Sequence, residues 1–146
     1  PANTIAHNQI GIAVGYPESV GNTITQNRIY ANRDEQIHFY EVPQPLAPAP
    51  SLTDWDGAAV SGTACAACQV EVFANPSPQL AGHTYLGTAV TAGDGTFSLT
   101  IYPGYNYLTA TATDTDGTTS ELSSSLFIGT YTYLYLPLMA KPASLR

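Results

Sequence analysis

Apolar and polar positions near the start of the chain recur in a fixed frame. Asn3, Thr4, Ile5, Asn8 and Ile10 return nineteen residues on as Asn22, Thr23, Ile24, Asn27 and Ile29. A repeat of this length that keeps asparagine and isoleucine in register is the pattern of a parallel β-helix, whose rungs stack on one another. It predicts Ile5 above or below Ile24, and Ile10 above or below Ile29, inside the coil. The asparagines are expected at the corners, where a left-handed backbone costs Asn little and stacked amides bond from rung to rung. Gln36-Ile37-His38-Phe39-Tyr40 offers a fragment of a third rung. About three rungs are needed to bury such a core, so the coil reads as incomplete. It is either the tail of a longer β-helix or a coil whose open end another chain covers.

Downstream the period changes to two. Residues 41–50 carry four prolines, which makes an extended connector and excludes helix. Alternating runs follow at 58–63, 69–74, 84–91, 96–102, 107–113, 119–128 and 130–136, the spacing of a β-sandwich. Turns fall at Asn75-Pro76-Ser77-Pro78, Gly93-Asp94-Gly95, Pro103-Gly104 and Asp114-Thr115-Asp116-Gly117. Asp-Gly between two alternating runs is a strong hairpin signal. Alternation points Val70, Val72, Leu86, Phe97, Leu99, Ile101, Leu108, Ala110 and Ala112 inward. The chain thus divides into β-helix rungs at 1–40, a Pro-rich linker at 41–56, a sandwich at 57–138 and a C-terminal tail at 139–146.

Composition narrows the partners. Of 146 residues only 10% are charged, 4 Lys+Arg against 11 Asp+Glu, for a net charge of -7. Nucleic acid and anionic membrane both need a basic face, so neither is expected. A Thr-, Ser-, Asn- and Tyr-rich surface with a single lysine, Lys141, favours strands and reads as secreted or cell-surface. No apolar run approaches the length of a membrane-spanning helix. The sequence begins at Pro1 rather than Met, as a processed or excised piece would, so the lack of a leader says little about export.

Gly62-Thr63, Val70-Glu71-Val72-Phe73, Tyr85-Leu86-Gly87-Thr88, Asp94-Gly95-Thr96-Phe97-Ser98-Leu99 and Leu108-Thr109-Ala110-Thr111-Ala112-Thr113-Asp114, with Gly117 and Thr119-Ser120-Glu121, resemble bacterial Ig-like or carboxypeptidase-regulatory-like sandwich modules. Such modules follow right-handed β-helix repeats in large secreted bacterial proteins. The ending Tyr133-Leu134-Tyr135-Leu136-Pro137-Leu138-Met139-Ala140-Lys141 resembles the tail of exported Chloroflexota proteins. The resemblance implies an all-β chain, a short parallel β-helix segment followed by an Ig-like antiparallel β-sandwich, and it implies export. It fixes no function, because the same modules occur on lyases, adhesins and surface polymers.

Candidate chemistry is sparse. Cys65 and Cys68 are read as a local disulfide; a zinc site lacks two further ligands, and a thioredoxin-like pair should open a helix where a β run follows. Asp114, Asp116 and Glu121 resemble part of a calcium loop, but Thr118 and Thr119 stand where an EF-hand needs a ligand and a glycine. Calcium is the one cofactor candidate. Glu18, Arg28, Arg33, Asp34 and Glu35 show no repeated placement on the rungs, and no nucleophile elbow or phosphate loop occurs, so no enzyme is expected. His7 and His38 are read as surface or packing residues.

Thr130 to Leu136 alternates, with Tyr131, Tyr133 and Tyr135 on one face and Leu134 and Leu136 on the other. It is either the last strand of the sandwich or a strand lent to a neighbour's sheet. Phe39, Tyr40, Tyr102, Tyr105 and Tyr107 add aromatics that could stack on sugar rings or anchor an interface. Two functions compete. One is a self-associating filament, sheath or surface-layer subunit whose contacts are Ile5, Ile10, Ile24 and Ile29 at the coil and Tyr131, Tyr133, Leu134, Tyr135 and Leu136 at the far end. The other is a carbohydrate-binding or adhesion module of a larger β-helix enzyme or adhesin.

Overall fold

In a computed structural model, which describes residues 2–15, 19–40 and 47–129, every regular element is a strand. β1 (Thr4–Ala6) and β2 (Ile10–Gly15) pair in parallel with β3 (Arg28–Tyr30) and β4 (Glu35–Tyr40), respectively. Ile5 lies opposite Ile29, and Ile12 opposite Ile37. The expected partners, Ile24 for Ile5 and Ile29 for Ile10, are therefore wrong by several residues. The reason is a third copy of the phrase at Asn27, Ile29 and Asn32, overlapping the second at Asn27. The first copy sits on this third one.

Asparagine ladders set that register. Asn27 Oδ1 accepts from the backbone N and the Nδ2 of Asn3 at 3.1 and 3.0 Å, across 24 residues. Asn32 Oδ1 accepts likewise from Asn8 at 3.0 and 3.2 Å, while Asn32 Nδ2 donates to the Ile5 carbonyl. The left-handed corner residue is not the asparagine but the one before it: φ is 62° at His7, 53° at Gln26 and 53° at Ala31. Gly11 passes so close to the layer below that a Cβ there would meet Gln36 O at 2.4 Å. Only glycine fits.

The seven remaining strands are antiparallel. One sheet holds β5 (Ser51–Trp55), β6 (Ala59–Thr63) and β9 (Thr96–Thr100); the other runs in the order β11 (Leu126–Phe127), β10 (Tyr107–Thr113), β7 (Gln69–Asn75), β8 (Thr84–Val90). Val60, Val70, Val72, Phe97, Ile101, Leu108, Ala110 and Ala112 form the buried core between them, with Leu86 and Leu99 half-buried at its margin. Each large aliphatic of that set contributes about 1.5–3 kcal/mol by leaving water. β5 falls inside the stretch read as linker, because Leu52 and Trp55 pack on this core. Gly62 lets β5 approach β6, since a Cβ there would lie 2.3 Å from Ser51 O and 2.9 Å from the Phe97 ring.

Residues 119–128 do not form the single strand that alternation predicts. Ser120 and Ser123 each use their hydroxyl to accept from β10, from the N–H of Ala112 and of Ala110, at 2.9 Å in both cases. Their own N–H groups donate to the carbonyls of the same two residues at 2.8 Å. Side chains thus replace ladder positions, and a spacing of three displaces the spacing of two. The run 130–136 lies outside the described residues.

The second face of the larger sheet is also covered. Glu71, Phe73, Thr109 and Thr111 are outward by alternation yet are buried. The N-terminal segment lies over them: Gln26 N donates to Glu71 Oε2 at 2.8 Å, and the Thr25 hydroxyl bonds to Oε1. Ile29 and Gly82 exchange both backbone hydrogen bonds, at 2.9 and 2.7 Å, and Thr119 N donates to Asn22 O at 3.1 Å. Ile24, Ile29, Ile37, Phe73 and Leu122 line the small void between the two parts.

Candidate functional site

Where β4 runs past the sandwich, a groove of about 570 Å³ opens between it and residues 79–80 and 121–122. β4 is bonded to β2 along one edge only, among the described residues, and its other edge looks into this groove. Glu35 and His38 come from β4, and Glu121 comes from the serine-pinned segment after β10. Their ligand atoms all lie within 4.8 Å of one another. His38 Nδ1 is 2.5 Å from Glu35 Oε2. At the rim Arg33 bonds to Asp34 at 3.1 Å, and this bond, ahead of one from Gln9, holds the Asp34 carboxyl below its ordinary value. The groove's charge is therefore mainly carboxylate, and Arg33 is already engaged.

A second cluster runs across the outside. The rings of His7, Tyr30, His83 and Tyr105 follow one another at centroid distances of 6.2, 4.6 and 5.4 Å, with the Arg28 guanidinium 5.1 Å from the Tyr30 centroid. Burial, then the nearby Arg28 charge, lowers the His83 pKa and favours its neutral ring. The aromatics singled out in the sequence do not form one surface. Tyr40 packs on His38, Tyr105 on His83 and Tyr107 on Phe127, and no ring contact joins them to one another among the described residues.

Cys65 and Cys68 are joined to each other at the corner from β6 to β7. Thr91 clasps that corner, donating to Cys65 O at 2.6 Å and accepting from Cys68 N at 2.9 Å. The calcium candidate does not assemble. Asp114 Oδ1 is occupied by the N–H groups of Asp116 and Thr118, at 3.0 and 2.9 Å, as in an Asx-turn. Glu121 instead faces Glu35 and His38. Of the coil isoleucines offered as contacts, Ile29 is 4% exposed and Ile24 is half-buried against the sandwich, so both are covered by the chain itself. Ile5 and Ile10 are half-buried. Tyr131, Tyr133, Leu134, Tyr135 and Leu136 lie outside the described residues.

No local pattern announces the groove, because Glu121 is far from Glu35 and His38 along the chain and no periodicity links them. Phe73 at an outward strand position was the readable hint that the sheet's second face is covered.

Two antiparallel sheets facing one another across an aliphatic core define an immunoglobulin-like sandwich. Residues 45–126 match the family model for the bacterial Ig domain, and the chain belongs to that family. Among curated proteins no relative matches it. Among the described residues, no helix is long and apolar enough to cross a membrane.

Proposed function

We propose that this chain is a non-catalytic extracellular module in which a bacterial Ig sandwich closes one end of a parallel β-helix, and that it works by association along the coil's other end. The observation that carries this reading is the asymmetry of the parallel pairs. On one side the chain's own sandwich bonds β3 through Gly82 and Ile29, and the segment leading into β3 through Thr119 and Glu71. On the other, the outer edges of β1 and β2 have no strand beside them among the described residues. The two isoleucine pairs run the same way: Ile29 and Ile37 are 4% exposed, whereas Ile5 and Ile12 opposite them are only half-buried. A further strand laid on that edge would complete the backbone bonds, at about 1 kcal/mol net each, and bury the isoleucines. A second copy of the chain offers the same edge. Bacterial Ig domains are typical of extracellular proteins, which supports the location.

The carbohydrate-binding alternative has one observation in its favour, the row of rings from His7 to Tyr105. Those rings already pack edge to face on one another, which leaves less face for a sugar than an open platform would. The test is sedimentation of the full chain against an Ile5→Lys/Ile10→Lys variant. The full chain is expected to associate, and the variant to form smaller species with unchanged near-ultraviolet circular dichroism. A full chain that remains monomeric at millimolar concentration would overturn the reading.

A further inference from the structure

We propose that Glu35, His38 and Glu121 bind one divalent transition-metal ion of the zinc or manganese type, which ties β4 to the Ig sandwich. The three donors, one imidazole nitrogen and two carboxylates, already lie within 4.8 Å of one another without an ion. Around a metal with bonds of about 2.0–2.2 Å, neighbouring ligands stand roughly 3–4 Å apart. Small rotamer changes close the difference. An imidazole in the set selects against calcium and magnesium, which prefer oxygen alone.

Three further observations point the same way. Both backbones are held independently of the ion: Glu35 by its place opposite Ile10 in the β2–β4 pair, and Glu121 by the bonds of Ser120 and Ser123 to β10. The groove beside them leaves room for the waters that complete coordination. Glu121 is exposed and its carboxylate is engaged by no hydrogen bond or ion pair among the described residues, so it can turn to an ion beside His38 and Glu35 without giving up a partner. A divalent ion balances the two carboxylates, which Arg33 does not do because Asp34 holds it.

The ion would span two parts of the chain that otherwise meet through hydrogen bonds, those to Glu71 and from Arg28 Nε to His83 O among them, and a void-bearing apolar contact. Its effect should therefore be read in stability as well as in affinity. The experiment is calorimetric titration of tag-free full chain with zinc chloride, manganese chloride and calcium chloride, with thermal melts alongside. One equivalent of zinc or manganese is expected to bind and raise the melting temperature, with no response to calcium. Glu121→Gln and His38→Ala should each weaken binding by about tenfold or more, the scale that supporting residues alone command at metal sites, and remove the thermal shift. His7→Asn, at a histidine outside the groove, should leave both unchanged. Absence of binding by the full chain, or binding that neither groove variant alters, would overturn the proposal. Because Ile5 lies opposite Ile29 and does not line the groove, the result is read equally in an Ile5→Lys single variant, so its failure is separable from failure of the association reading.

Discussion

Glu71 stands on the outward face of β7, where alternation predicts a solvated carboxylate, and yet it is 3% exposed. It is tolerated because Gln26 N and the Thr25 hydroxyl both point at it, and a buried charge without such donors would be costly. The bond to Gln26 also serves the corner, since Gln26 has a φ of 53° and its N–H has left any strand ladder. Replacing Glu71 with Ala removes both acceptors at once. The expected cost is about 1–3 kcal/mol, the range for leaving a donor unsatisfied. Because the lost bonds join the N-terminal segment to the sandwich, hydrogen exchange should rise selectively at residues 22–32. An unchanged melt with those amides still protected would show that the carboxylate is a spectator.

At the scale of elements, the irregular stretch after β10 is held by two hydroxyls. Ser120→Ala and Ser123→Ala each take the acceptor from a buried N–H, that of Ala112 or Ala110, so each should lower stability by about 1–3 kcal/mol. Ser→Thr at the same sites keeps the acceptor and should cost less; equal loss from both substitutions, read in denaturant melts, would point to packing instead. The same stretch shows where sequence reading stops. Strands β6 to β10 were legible because their aliphatic residues alternate toward the sandwich core, and that period of two persists on β7 and β10 although their other face is covered too. Residues 119–128 were not, since serine side chains imitate backbone and leave no periodic trace. In the coil, parallel pairing was legible from Asn and Ile, but its register was not. Asn27 closes one copy of the phrase and opens the next, so two stacking distances fit the same letters, and the Asn3–Asn27 and Asn8–Asn32 bonds decide between them. Glu35, His38 and Glu121 meet only because β4 lies against the non-periodic segment after β10, a contact that no local pattern encodes.

For the whole molecule, the decisive feature is that the two sides of the parallel pairs are unlike. A filament read from the sequence needs two complementary contacts, because a head-to-tail interface propagates only if each copy offers both halves. The sandwich bonds β3 through Gly82 and the segment before it through Thr119 and Glu71, and it flanks β4 across the groove. Under the proposed association, the edge of β1 and β2 would meet the same edge of a second copy, and a self-complementary contact between identical edges closes as a twofold dimer. A polymer therefore requires a second contact, and residues 130–146, with Tyr131, Tyr133 and Tyr135 alternating against Leu134 and Leu136, are the segment whose sequence suits strand addition. Deleting 130–146 is expected to convert higher assemblies of the full chain into dimers, and adding Ile5→Lys and Ile10→Lys to that deletion should give monomers. Light scattering coupled to size exclusion distinguishes the three states directly. If the shortened chain still built open polymers, the coil edge would have to be pairing with an unlike surface of the sandwich, and the twofold contact argued from its capped end would be wrong.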